Sequence, residues 1–185
     1  MPLPQSVDRE ELHQRQITMK AYKRSDGLYD IEARLMDTKT APFSAPLSMQ
    51  PLAPGRPIHD LWIRLVIDDN MLVHDAIASS DATPFSICKE AGVALSFLKG
   101  ETIGSGWNKI VRDGLKGAIG CTHLMELLSP MATTAMQAMW PVKQTRPIKV
   151  DANGRPLKVD SCYAYAAKRV VVKQLWPQHY TGGQD

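Results

Sequence analysis

Two pairs of alternating apolar and polar segments in the first half of the chain constrain the fold most strongly. In the first pair, RQITMKAYKR and LYDIEARLMDT flank Asp26-Gly27, a dipeptide that supplies the positive backbone angles of a tight hairpin turn. In the second pair, LWIRLVID and MLVHDAIAS flank Asp69-Asn70. Alternation with period two indicates strands with one buried face. We therefore predict strands at about 15–24 and 28–38 and a second hairpin from about residue 61.

A third hairpin is predicted near the C-terminus. The segments VDSCYAYAA and RVVVKQLW follow a polar stretch broken by prolines, and the run Val170 to Val172 is typical of a buried strand. The sheet would then have about six strands. Residues 1–14 are expected to form a flexible arm and residues 177–185 a flexible tail, which leaves 15–176 as a single domain.

Three to four helices are expected to pack on this sheet. A helix is predicted over about 84–98, with Thr83 as its cap and Pro84 in its first turn. The segment WNKIVRDGL predicts a short helix that ends at Leu115. The stretch GCTHLMELLSPMATTAMQAM repeats apolar residues three and four apart, which is typical of an amphipathic helix, and Pro130 should kink it or make it restart. The sequence thus predicts an α+β fold in which an antiparallel sheet of hairpins packs against helices.

Composition argues against several classes of partner. The net charge is +3, with 22 basic and 19 acidic residues and no basic run, so we expect no nucleic-acid partner. No apolar segment approaches the roughly 18 residues of a membrane span and the N-terminus is too polar for a secretion signal, so we expect no membrane contact and a cytoplasmic location. Three cysteines without paired spacing fit reduced thiols. A homodimer is an open alternative to a monomer.

The candidate site lies where a glycine-flanked loop delivers Cys121 and His123 to the start of the long helix. The positive end of the helix dipole favours a thiolate and disfavours an imidazolium, so each side chain is poised as a base, nucleophile or ligand. His59 and Asp60 precede a strand, and an adjacent carboxylate can hold an imidazole in one tautomer. Tyr163 can donate a proton into a pocket. We therefore assign catalytic roles to His59, Asp60, Cys121, His123 and Tyr163.

Further residues are expected to complete a pocket around these groups. The residues predicted to bind substrate come from the middle helix and the start of the next one: Pro84, Phe85, Cys88 and Trp107. The loop from Thr40 to Pro57 contains five prolines and is long enough to act as a lid through Phe43, Leu47, Met49 and Leu52. No cofactor is expected. The alternative is a zinc or iron site formed by His59, Cys121 and His123, although this spacing is weak evidence for a metal.

The chain resembles a bacterial family catalogued only as a domain of unknown function. The resemblance runs from about Tyr22 to Trp176, and the segments that carry it are YKRSDGLYDIEARLMDTK, GRPIHDLWIRLVID, ATPFSICKEA, FLKGETIGSGW, GCTHLMELL and DSCYAY. Its members look to occur mostly in proteobacteria that break down aromatic and lignin-derived compounds. The resemblance therefore implies a small aromatic compound as substrate.

Residues 57–139 also resemble the iron–sulfur scaffold and sulfur-acceptor fold. WIRLVIDDNMLVHDAIAS, the helix ending in FLKG and the segment GCTHLMELL follow the order of that fold. The resemblance implies that His59 and Asp60, the segment 84–88 and the segment 121–123 converge on one site. Scaffold proteins place cysteines in the first two regions, whereas this chain has His59 and Pro84 there, which disfavours an iron–sulfur cluster.

These features favour proton-transfer chemistry. The leading hypothesis is a cofactor-independent carbon–carbon lyase of retro-aldol type, which acts on a lignin-derived aromatic compound with a hydroxymethyl side chain and releases formaldehyde. His59 or His123 would take the hydroxyl proton, and the other, with Tyr163 or Cys121 nearby, would protonate the adjacent carbon. One alternative is a non-catalytic protein that binds a metal, a cluster or a sulfur intermediate for a partner. Another is a thioesterase or acyl transferase with Cys121 as nucleophile.

Overall fold

The fold is α+β, built on one antiparallel sheet. In the computed structural model, which describes residues 3–47 and 50–183, four strands lie in the order β1-β2-β3-β4. They are β1 (His13–Lys23), β2 (Tyr29–Lys39), β3 (His59–Ile67) and β4 (Val73–Ala82). The two N-terminal hairpins are therefore confirmed. Gly27 in the first turn has a φ of 88°, the backbone angle for which a glycine is suited.

Helical segments follow the sheet in the chain. A 3-10 helix spans Ser86–Leu98, and the α-helices are α1 (Trp107–Leu115), α2 (Thr122–Ala138), α3 (Trp140–Gln144) and α4 (Val170–Leu175). Two short 3-10 turns span Gly117–Ile119 and Pro177–His179. The long helix α2 continues through Pro130 instead of restarting there, and the Thr134 hydroxyl donates to the Pro130 carbonyl at 3.0 Å.

The predicted third hairpin is wrong, so the described residues contain four strands rather than about six. The first of its segments forms turns because the Asp160 side chain accepts a hydrogen bond from the Ala167 N–H at 2.8 Å, which closes a loop. Asp160 also has a φ of 66°, outside the strand region. The second segment forms α4, in which Val172 is fully buried.

The chain divides into two compact units, residues 1–140 and residues 141–185. The first contains the sheet, the long 3-10 helix, α1 and α2. The second has a small core of Val159, Ala167 and Val172, with Trp176 packed against it. Residues 3–12 form no strand or helix, whereas residues 1, 2, 184 and 185 of the predicted arm and tail lie outside the described residues. Among the described residues, none of the helices combines the length and hydropathy that a membrane span requires.

One face of the sheet is covered by helices and the other face is open. α2 packs on β1, β2 and β3, and the long 3-10 helix packs on β4. The buried side chains of this core include Ile31, Leu35, Leu61, Ile63 and Leu65 from the sheet and Leu124, Leu127, Leu128 and Met131 from α2. Glu32, Arg34, Trp62 and Arg64 alternate with the core residues and lie on the open face. Consecutive strand residues therefore reach different environments, which decides where the site residues lie.

The loop between β2 and β3 has no regular strand or helix in its described part. It is fastened by an isolated antiparallel bridge between Phe43 and Leu52. Leu47 is exposed, whereas Met49 of the predicted lid lies outside the described residues. The loop delivers the chain to His59, where β3 begins.

Candidate active site

The site is built on a row of three residues that face one another across the sheet. Arg15 on β1 pairs with Asp37 on β2, and Asp37 pairs with His59 on β3. Side chains directly opposite in an antiparallel sheet point to the same face. Asp37 continues the buried positions of Ile31 and Leu35, so this row lies on the covered face at the end of the apolar core.

Asp37 is the centre of this row and is only 1% exposed. Its Oδ1 accepts hydrogen bonds from Arg15 Nε at 2.8 Å and from His13 Nε2 at 3.2 Å. Its Oδ2 accepts from Arg15 Nη2 at 2.8 Å and from His59 Nδ1 at 3.0 Å. Since a carboxylate has about four lone-pair positions, the buried charge is fully satisfied. The Asp37 contact fixes which nitrogen of His59 faces the protein and leaves Nε2 for other partners.

α2 brings a second group of side chains to this row. His123 lies in its first turn, and the His59 and His123 rings have centroids 3.9 Å apart with planes inclined by 33°. Cys121 occupies the N-cap position without a side-chain capping bond, and its Sγ lies 3.8 Å from His123 Nδ1. One turn further along, Glu126 accepts a hydrogen bond from Arg15 Nη1 at 2.5 Å. Arg15 therefore joins the sheet to the start of α2.

The pKa values of Asp37 and His123 are both lowered, with opposite consequences for the charge that each group carries near neutral pH. Burial alone would raise the pKa of the Asp37 carboxyl, but the hydrogen bonds and charge of Arg15, together with His59, outweigh burial and lower the pKa from 3.8 to about 2. Burial lowers the pKa of His123 below 6.5, and the positive charges of His59 and Arg15 lower the pKa further. Near neutral pH, Asp37 is thus a carboxylate and His123 a neutral imidazole.

The structure brings together three of the five residues to which the sequence assigned catalytic roles. His59, Cys121 and His123 are neighbours, and all three side chains are half-buried. Asp60 follows His59 in β3 and lies on the open face instead. There it accepts hydrogen bonds from Arg34 Nε at 2.7 Å and Nη2 at 2.6 Å. The carboxylate that holds His59 is therefore Asp37, from the neighbouring strand.

The other predicted site residues lie elsewhere in the structure. Tyr163 belongs to the second unit, is 76% exposed and accepts a hydrogen bond from Arg169. Trp107 is buried between α1 and α2, where its Nε1 donates to the Leu128 carbonyl at 2.9 Å. Pro84 and Phe85 precede the long 3-10 helix, and Cys88 lies in its first turn. Within the described residues, neither hydrogen bonds nor ring contacts join Pro84, Phe85 or Cys88 to His59 or His123.

Sequence reasoning missed four residues that surround the histidines, namely His13, Arg15, Asp37 and Glu126. Asp37 carried a detectable signal, because it continues the alternate positions of β2 that face the core, after Ile31, Ala33 and Leu35. A carboxylate at a buried position requires a partner. Arg15 could then have been found as its cross-strand neighbour once the register was known. No sequence signal connects Glu126 to Arg15, since 111 residues separate them.

The same residues include a set that can hold a metal. One ligand atom from each of Asp37, His59 and His123 lies within 4.8 Å of the others, and two histidines with one carboxylate are a set that zinc or iron accepts. Both oxygens of Asp37 already accept two hydrogen bonds each. A metal bound to Asp37 would have to displace the hydrogen bond of His13, His59 or Arg15, and the guanidinium repels a cation.

The comparisons with known proteins give a family but no activity. Neither the curated proteins nor the solved structures gave a match. The resemblance to the iron–sulfur scaffold fold therefore gains no support and stays a prediction. A family model described as "Protein of unknown function (DUF2889)" matches residues 13–137, a range that contains every residue of the histidine cluster. The chain belongs to this family of proteins of unknown function.

Proposed function

We propose that the first unit is a carbon–carbon lyase of retro-aldol type that needs no cofactor. The observation that carries the proposal is the contact between His59, held by buried Asp37, and His123, kept neutral by its surroundings. A neutral imidazole is a competent base near pH 7, and a histidine that faces a carboxylate can carry a proton for donation. The pair thus offers a base and an acid within one site.

In the proposed step, His123 removes the hydroxyl proton from a hydroxymethyl group attached to a carbon next to an aromatic ring. The oxygen electrons form the carbonyl of formaldehyde, and the bond between the two carbons breaks. Its electron pair goes to the ring-bearing carbon, where the aromatic system delocalises it, and that carbon then takes a proton from His59. The products are formaldehyde and the substrate less CH2O, and no group is oxidised or reduced by an outside reagent. His123 gains one proton and His59 loses one, so a proton passes from His123 to His59, directly or through solvent, before the next turnover.

The aromatic, lignin-derived substrate class comes from the family resemblance rather than from the geometry. The contacts of the two histidines support a division of roles within the proposal. His59 is anchored through Nδ1, so its Nε2 is the atom that exchanges protons with a substrate. His123 contacts Cys121 through Nδ1, which leaves its Nε2 as the base. Asp37 acts through His59 and is a positioning residue.

A second candidate function is the binding of zinc or iron by Asp37, His59 and His123, supported by their ligand atoms lying within 4.8 Å of one another. The saturated hydrogen bonding of Asp37 favours the acid–base function. Elemental analysis of protein purified without chelators separates the two. Stoichiometric metal whose removal abolishes activity would favour the metal site and contradict the cofactor-free reaction.

The test of the lyase is the release of formaldehyde from aromatic compounds that carry a hydroxymethyl side chain. Replacement of either histidine, His59→Gln or His123→Gln, should lower kcat by about a hundredfold or more, the usual contribution of a general acid or base. The matched control is His74→Gln. His74 also contacts an aspartate, Asp68 at 3.2 Å, but at the opposite end of the sheet, and its loss should leave kcat unchanged. Equal effects of all three substitutions, or no formaldehyde from any such compound, would contradict the proposal.

A further inference from the structure

A cleft of about 540 Å³ opens at the start of β3, away from the histidine pair. One wall is the end of the loop that precedes β3, including Leu52, Arg56 and Pro57. The other wall is the end of β4 and the start of the long 3-10 helix. Its volume lies within the range of sites for small organic ligands. None of its lining residues belongs to the histidine cluster.

The acidic residues of the cleft are already engaged by the protein. Asp60 is 6% exposed and is held by both Nε and Nη2 of Arg34. Asp81 accepts a hydrogen bond from Trp62 Nε1 at 3.1 Å, and Arg34 lies over the Trp62 ring, 4.7 Å from its centre. These contacts hold the two carboxylates on the wall and reduce their capacity to pair with a ligand or with other cations.

The basic residues of the cleft differ from its acidic residues in their contacts. Within residues 3–47 and 50–183, the side chains of Arg56 and Lys89 form no ion pair. The arginines of the sheet behave differently, because Arg15, Arg34 and Arg64 all bind carboxylates. Arg56 and Lys89 come from separate segments that meet only in the folded chain, and both line the cleft. An anion between them would meet two cations free to bind it.

The rest of the lining defines what else the ligand must carry. Leu52, Pro57 and Ala82 offer apolar surface, and Thr83 and Ser86 offer hydroxyl groups. We propose that this cleft binds a small organic carboxylate with a compact aromatic or aliphatic body, its carboxylate between Arg56 and Lys89. An arginine recognises a carboxylate with two parallel hydrogen bonds, while the apolar wall takes the body. This inference goes beyond the proposed lyase and does not depend on it.

The probe is benzoate, and its neutral isostere benzamide is the comparison. Binding to the full chain is followed by NMR through the indole N–H of Trp62, which donates to Asp81 in the cleft wall. The indole N–H of Trp107 is the internal control, because it is buried on the Leu128 carbonyl. Benzoate should move the Trp62 signal in a saturable way and leave that of Trp107 unchanged. Benzamide should bind at least about fivefold more weakly, since it cannot form the charge-assisted bonds.

Two substitutions and a matched control complete the test. Arg56→Gln and Lys89→Gln are both exposed changes and should each weaken benzoate binding by about fivefold or more. Arg64→Gln removes an equally exposed arginine that is paired with Glu32, and should leave binding unchanged. Benzamide binding as tightly as benzoate, unchanged binding by Arg56→Gln and Lys89→Gln, or tighter binding of inorganic phosphate than of benzoate would each overturn the proposal. Saturable benzoate binding by a protein that releases no formaldehyde from aromatic compounds with a hydroxymethyl side chain would refute only the lyase.

Discussion

Each face of the sheet carries an arginine–aspartate pair joined by two hydrogen bonds, and histidines contact the pair on the covered face but not this pair on the open face. On the covered face Arg15 binds Asp37 with two nitrogens, and on the open face Arg34 binds Asp60 in the same way. Asp37 lies beneath α2 and also accepts from His13 and His59. Asp60 instead borders a cleft, beside an arginine stacked on Trp62.

The two pairs differ in what surrounds them rather than in how the arginine binds the carboxylate. A carboxylate between several donors and under a helix can orient an imidazole and keep its own charge. On the open face, Arg34 instead holds the Asp60 carboxylate in the lining of the cleft. Substitutions in the Arg15–Asp37 pair can therefore be compared with the same substitutions in the Arg34–Asp60 pair.

The largest expected effect is on catalysis. Asp37→Asn should lower kcat by about a thousandfold, because the amide no longer fixes the proton position on His59. Asp60→Asn should change kcat by less than about tenfold, since Asp60 contacts no histidine. Removing one partner of a buried ion pair costs about 3 kcal/mol, so circular dichroism must first establish that the Asp37 variant is folded at the assay temperature. Similar losses in kcat for both folded variants would contradict the account.

The next effect is on stability in acid. The pKa of Asp37 falls from 3.8 to about 2 on folding, so its contribution is fully present above pH 3.8 and is lost as the pH falls to 2 and below. The shift corresponds to about 2 kcal/mol of unfolding free energy. Urea unfolding at pH 5 and at pH 2 measures it. From pH 5 to pH 2, the unfolding free energy of Asp37→Asn should fall by about 2 kcal/mol less than that of the native protein. An identical fall in both proteins would show that Asp37 does not contribute to the acid dependence.

A smaller effect is expected on the pH dependence of the reaction. The positive charge of Arg15 is one of the causes that lower the pKa of His123, after burial and His59. Arg15→Gln should therefore raise that pKa and move the acid limb of the kcat/KM profile to higher pH, where His123 becomes neutral. Arg34→Gln on the open face provides the comparison and should leave the limb in place. If both variants gave the native profile, the role of Arg15 charge would be refuted.

The smallest effect is expected at Cys121. Its Sγ lies 3.8 Å from His123 Nδ1, yet the proposed reaction uses no nucleophile. Cys121→Ser should retain kcat within about threefold, because a hydroxyl can replace the thiol as a partner of His123. Loss of activity when Cys121 of the native protein is mildly alkylated, combined with an inactive Cys121→Ser variant, would instead support nucleophilic catalysis.

The strands of the first unit could be predicted because their signals are local. Alternation and the Asp26-Gly27 turn located β1 and β2 within about two residues, and the apolar stripe located α2. The predicted hairpin near the C-terminus failed because strand preference depends on partners. Val170 to Val172 form a helix in which Val172 supplies the buried contact, and the Asp160 side chain replaces a strand pairing with a loop.

The site was predictable only in part, for a geometric reason. His59 and His123 were found from their positions at the start of a strand and of a helix. Their environment depends on which residues oppose one another across the sheet, and adjacency in sequence misleads there because alternate residues face opposite sides. Adjacency in sequence is the only signal that points to Asp60 as the carboxylate that orients His59. Asp37 is the partner because the register of β2 and β3 places it directly opposite.

The most direct test of the account is an NMR pH titration of the histidine rings in the native protein, with His123 assigned by its loss in His123→Gln. Burial and electrostatic repulsion from His59 and Arg15 should hold the pKa of His123 below 6.5, so that the ring is less than half protonated at that pH. A His123 ring that is already mostly protonated at pH 6.5 would contradict the claim that this histidine is the base.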